Sequence, residues 1–82
     1  MQIDILTPEG NIYSGEGESI QLPGVDGLFE VLNNHAPLIS ALKEGRLRIL
    51  AEGSETAFIV KGGFVEVLRN NVSVLVEGAT AA

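Results

Sequence analysis

The chain contains no cysteine, so neither a disulfide framework nor a thiolate metal site supplements its core. Basic residues are scarce: five Lys and Arg stand against eleven Asp and Glu, a net charge of −6. That balance argues against a nucleic-acid backbone as partner and against adhesion to an anionic bilayer. No apolar run approaches the ~20 residues that span a membrane, and the N-terminus lacks the basic and apolar regions of a signal peptide. A soluble, cytoplasmic chain without membrane insertion is the expectation. There is one histidine, and no serine or threonine has a nucleophile's sequence context. Neither a catalytic residue nor a cofactor is therefore expected, and no small-molecule ligand. Asp26, Glu30 and His35 match no known metal-ligand frame, so no metal is expected either.

Valine, leucine and isoleucine are abundant, and with Phe29, Phe58, Phe64 and Tyr13 they must build the core of one domain, residues 1–82. A chain of this size buries roughly 60–65% of the surface its unfolded form exposes. The apolar pattern is that of strands. Gln2-Ile3-Asp4-Ile5-Leu6 alternates with Ile3 and Ile5 facing in, and Pro8-Glu9-Gly10 reads as a turn. Asn11 to Leu22 reads as one long strand bent at Gly15 and Gly17. Pro23-Gly24 and Gly27 supply turn chemistry before a strand at Leu28–Val31. Pro37 holds Ala36 extended, and Leu38–Leu42 reads as a strand in preference to a two-turn helix starting at Pro37. Arg46–Ile49, Thr56–Lys61, Phe64–Arg69 and Val72–Glu77 follow, separated by Gly53-Ser54 as a two-residue hairpin turn, Gly62-Gly63 and Asn70-Asn71. Short strands with turns every six to ten residues predict an antiparallel β-sandwich. Gly78-Ala79-Thr80-Ala81-Ala82 reads as a short C-terminal tail.

The alternation lapses at Leu6, Leu50, Leu68 and Leu75, each on a face otherwise written as polar. Loops or sheet edges could cover them; alternatively some cluster into an apolar patch where another protein docks, with Leu68 and Leu75 as candidates.

The segment Leu22 to Leu42, LPGVDGLFEVLNNHAPLISAL, resembles the epsilon subunit of the F-type ATP synthase, whose mitochondrial counterpart is called delta. Glu30 replaces a usual glycine there and Asn33 a frequent proline. The likeness extends in register through Ile3–Gly15, Gly45–Ile49, Gly62–Val67 and Asn71–Leu75. It implies an all-β sandwich of two sheets with about ten strands. It also implies a non-catalytic central-stalk subunit of a proton-translocating rotary ATP synthase, bound to the gamma subunit and to the ring of c subunits. Such a subunit lies peripherally on the cytoplasmic side of the bacterial inner membrane. The implied ring contact is Val25, Asp26, Gly27 and Leu28; Asn34, His35, Ala36 and Pro37 would face gamma or the ring. Leu68 and Leu75 would then face gamma. Most members continue into a two-helix hairpin. Five residues after Glu77, at most ~18 Å of chain, cannot form one, so neither ATP binding nor inhibition through a mobile arm is expected.

A different class of small acidic β-sandwich carries lipoate or biotin on a lysine at a hairpin tip. Lys61, before Gly62-Gly63, is the lysine placed for that role, although V-K-G-G resembles neither the D-K-A nor the M-K-M pattern.

Overall fold

A computed structural model describes residues 1–82 as ten strands without a helix. These are β1 (Gln2–Thr7), β2 (Gly10–Glu16), β3 (Ser19–Gly24), β4 (Gly27–Leu32), β5 (Leu38–Leu42), β6 (Gly45–Ala51), β7 (Ser54–Val60), β8 (Gly63–Leu68), β9 (Asn71–Val76) and β10 (Ala79–Ala81). The hydrogen-bonded order is β10-β7-β6-β3-β5-β8-β9-β1-β2, with β4 paired to β3. The two halves, one around β3 and β6 and one around β8 and β9, meet at a single residue pair, Gly24 and Leu42. The sheet curls there and packs its two halves face to face. Pairing is antiparallel except between β1 and β9, which run parallel.

The period-two pattern accounts for the interior. Ile3 and Ile5, Ile20 and Leu22, Leu47 and Ile49, Val65 and Val67, and Val72 and Val74 alternate along their strands and are buried. They belong to a core of fifteen side chains. Burying each aliphatic side chain of this size contributes about 1.5–3 kcal/mol, so the core rather than any polar contact holds the sandwich. Tyr13 on β2 meets Phe58 on β7 edge to face, with ring centroids 6.2 Å apart, and helps close the side where the halves are not hydrogen-bonded. Met1 is buried with the core, its ammonium bonded to the Gly17 carbonyl and to Asn33 Oδ1.

Several local expectations change. Phe64 does not join the core but stands 59% exposed, because it shares parity with Glu66 and Leu68 on the outer side of β8. Pro23 and Gly24 lie inside β3, and the chain reverses at Val25-Asp26 instead. The β6–β7 turn is Glu52-Gly53, with φ of 52° and 75°, one residue earlier than expected. The β8–β9 turn is likewise Arg69-Asn70, φ 51° and 62°. Both have the paired positive φ angles that match the twist of two-residue hairpins. The long segment from Asn11 to Leu22 breaks between Glu16 and Ser19 into two strands on different halves. Ala79–Ala81, expected as tail, pair with Phe58–Val60 as β10.

Candidate functional site

The tip of the β3–β4 hairpin carries the first group of candidate residues. Gly24 opposes Gly27, which leaves Val25 and Asp26 as the turn. Gly27 adopts φ +132°, a conformation open to glycine but strained for other residues. The tip is pinned to the end of β5: Val25 N–H donates to the Ala41 carbonyl (3.1 Å) and Lys43 N–H to the Pro23 carbonyl (2.9 Å). Val25 and Leu28 are exposed, and Asp26 makes no ion pair.

Asn34, His35, Ala36 and Pro37 lie at the other end of β4, in the connection to β5. Phe29–Leu32 of β4 lie between the two groups, which places them at opposite ends of that strand, with Leu28 and Leu32 about 13 Å apart. The connection is nevertheless shaped. Asn34 takes φ 63°, and its N–H donates to Asn70 Oδ1 at 2.7 Å. His35 N–H donates to the Leu32 carbonyl, and His35 Nδ1–H to the Ala36 carbonyl at 2.7 Å. With Leu68, Arg69 and Asn70, these four residues line a shallow depression of about 550 Å³.

Leu68 and Leu75 share the outer face of the β8–β9 pair but not one patch. Leu75 opposes Phe64 and Leu68 opposes Asn71, and the polar pair Glu66–Ser73 lies between them. Leu68 therefore belongs with the Asn34–Pro37 depression. Leu75 instead belongs to a row crossing four strands: Leu6 on β1, Leu75 on β9, Phe64 on β8 and Ala41 on β5. Ile39, diagonal to Phe64 across β5–β8, extends the row and is 72% exposed. Beside it Leu6, Pro8, Gly63, Phe64, Leu75 and Glu77 line a groove of about 420 Å³. Sequence reading found Leu6 and Leu75 but missed Phe64 and Ile39. The parity of Phe64 with Glu66 was a signal for the first. Ile39 is masked by the apolar Leu38 beside it.

No group of three or more His, Cys, Asp or Glu side chains converges to hold a metal ion. Lys61 is not at a hairpin tip: it lies on the crossover between β7 and β8, which do not pair with each other, and its N–H donates to the Gly78 carbonyl. The carrier-domain reading of Lys61 therefore loses the geometry it needs. Arg48 pairs with Glu55 at 3.3 Å on the opposite outer face, with both side chains about half exposed.

The family model for the ATP synthase delta/epsilon chain, beta-sandwich domain, matches residues 1–82. The ATP synthase epsilon chain of Chlorobium limicola is 46% identical over 77 residues, covering 93% of this chain and 88% of its own length. That of Chlorobaculum tepidum is 47% identical over 76 residues, covering 92% and 86%. Among solved structures, a chain of the Euglena gracilis mitochondrial ATP synthase (OSCP/F1/c-ring) superposes with a TM-score of 0.91. It is 21% identical, covering 96% of this chain and 51% of that one. A chain of the Tetrahymena thermophila ATP synthase central stalk and c-ring superposes at 0.85 with 22% identity, covering 98% and 65%. At those identities the structural likeness speaks for the fold.

Proposed function

The chain belongs to the ATP synthase delta/epsilon family, and from that premise we propose that it is the non-catalytic epsilon-type subunit of a rotary central stalk, coupling rotation of a c-ring to a gamma subunit. It is then a peripheral part of the membrane-bound ATP synthase, on the cytoplasmic side of a bacterial inner membrane.

A subunit that transmits torque has to deform little under load. This one is a block of 26 × 25 × 21 Å, with 52 backbone hydrogen bonds and a close-packed aliphatic core. Interiors of that kind have low compressibility. The single observation that carries the docking reading is the apolar row Leu6–Leu75–Phe64–Ala41 with Ile39 beside it. A contiguous apolar surface on an acidic protein of this size marks a protein interface. The row is assigned to gamma. The hairpin tip Val25–Leu28, pinned to the end of β5 and at the opposite end of β4 from the Asn34–Pro37 connection, is assigned to the ring. The depression at Asn34–Pro37 and Leu68 is a second, smaller gamma contact.

The test is co-purification of gamma with variants of this chain. Phe64→Glu and Leu75→Asp place a charge in the row and should keep the fold, because both side chains already stand in solvent. Capture of gamma should fall by at least tenfold, since an unpaired charge buried in an interface costs several kcal/mol. Wild-type capture by both folded variants would remove the row from the interface.

A further inference from the structure

We infer that the free edge of β5 takes up an extended segment of the partner chain as an additional strand, centred on Ile39. The inference deepens the gamma-docking reading and rests on it for the partner.

The main-chain groups of a residue in an antiparallel strand point to one side, alternating along the strand. Ala41 C=O accepts from Val25 and Lys43 N–H donates to Pro23, so the groups of Ala41 and Lys43 point away from β8. By alternation Ile39 points away as well, while Leu38, Ser40 and Leu42 point toward β8. The neighbouring strand on that side, β3, pairs with β5 at Leu42 alone. Ile39 N–H, Ile39 C=O and Ala41 N–H are therefore left without a main-chain partner. Exposed strand edges are templates for another chain, and a residue presenting both N–H and C=O can form a doubly bonded pair with one incoming residue.

The edges of β2 and β4 lack this combination. On β2 the register slips between Ile5 and Leu6, leaving Ile12 unpaired, and Asn11 Oδ1 already takes the Tyr13 N–H. The outer face of β4 carries exposed Leu28 and Leu32 with Glu30 between them, and β4 pairs with β3 alone, which is not a strand of the apolar row. The β5 edge is joined to it: Ala41 opposes Phe64, and Ile39 lies diagonal to it.

Charge narrows the partner. Strands β1, β5, β8 and β9 carry Asp4 and Glu66 and no Lys or Arg. Glu66 stands directly opposite Ile39. The incoming segment is therefore extended, apolar at the alternate positions that meet the row, and bears a Lys or Arg that reaches Glu66.

Ile39→Pro removes the outward N–H while sparing the ladder to β8, a position where proline is tolerated. Ile39→Ala keeps the N–H and removes the apolar side chain. Both variants, and Phe64→Glu, are assayed for binding to gamma alongside amide hydrogen exchange of the wild-type chain, free and in complex. Main-chain pairing predicts that Ile39 and Ala41 amides slow at least tenfold in the complex. It also predicts that Ile39→Pro binds about tenfold more weakly than Ile39→Ala. Equal binding by those two variants, or unchanged exchange at Ile39 and Ala41, overturns it. Should Ile39→Pro fail to fold, the exchange measurement on the wild type decides. Loss of binding in Phe64→Glu with none in Ile39→Pro keeps the row and removes the strand. The converse keeps the strand and removes the row.

Discussion

Asn70 Oδ1 accepts the backbone N–H of Asn34 at 2.7 Å, joining the β8–β9 turn to the β4–β5 connection across thirty-six residues of sequence. Both residues hold positive φ, 63° at Asn34 and 62° at Asn70. Asparagine is suited to each place, because it tolerates that conformation and its amide oxygen accepts from a neighbouring backbone. Asn70→Ala should lower stability by about 1–2 kcal/mol, combining the lost hydrogen bond with the cost of a side chain in the left-handed region. Asn70→Gly, which relieves the second term, should cost about 1 kcal/mol or less. Urea unfolding midpoints of the two variants measure the difference, and faster amide exchange at Asn34 should accompany both.

Gly63 opens β8 directly opposite Val76 of β9. A Cβ there would collide with the Leu75 carbonyl oxygen and lie 2.8 Å from Val76 Cα. Backbone atoms cannot move aside as a flexible side chain can, so Gly63→Ala should destabilise by about 3 kcal/mol. Gly62→Ala, whose nearest contact is the Leu42 carbonyl at 3.3 Å, should cost less. Thermal unfolding of the pair tests the order, and equal melting temperatures would refute it.

On the outer face Leu68 and Leu75 should separate in function although sequence parity treats them alike. Leu75→Asp sits in the apolar row and should cut capture of gamma at least tenfold. Leu68→Asp, beyond the Glu66–Ser73 pair, should cut it by about threefold, in the range of rim contacts. Titration of gamma against each folded variant gives the two affinities.

The hairpin tip and the β4–β5 connection should also separate. Asp26→Ala alters the assigned ring contact and should loosen coupling of proton flow to ATP chemistry. Its capture of gamma should stay within about twofold of wild type. His35→Ala should weaken gamma capture instead. Proton pumping by reconstituted membranes, read beside gamma binding, distinguishes the two; identical profiles would show that the tip and the connection meet one partner.

Arg48 and Glu55 form an ion pair that should matter little. Both side chains are close to half exposed, where solvent and salt screen the attraction, and such pairs are worth about 0–1 kcal/mol. Glu55→Gln should shift the unfolding midpoint by less than about 0.5 kcal/mol at physiological salt.

The sequence by itself determined the class of fold and nearly every strand. Period-two alternation is a local property, and a buried aliphatic face leaves a strand one orientation. Ile3 and Ile5, Leu47 and Ile49, and Val72 and Val74 could therefore be assigned before any contact was known. The motif from Leu22 to Leu42 likewise made the family legible, since turn glycines and prolines act through their own backbone. What only the tertiary structure decided depends on which strands become neighbours. Leu6 is far in sequence from Phe64 and Leu75, and the parallel β1–β9 pairing places it beside the pair that the β8–β9 hairpin makes of them. The same pairing divides Leu68 from Leu75. Turns moved by one residue at Glu52-Gly53 and Arg69-Asn70 because register is set by the ladders on either side, not by the turn residues alone. Nothing in the order of residues marks β5 as an edge. It becomes one because the chain reverses after Gly24 into β4, which pairs back along β3, leaving Ile39 beyond the end of β3 without a main-chain neighbour.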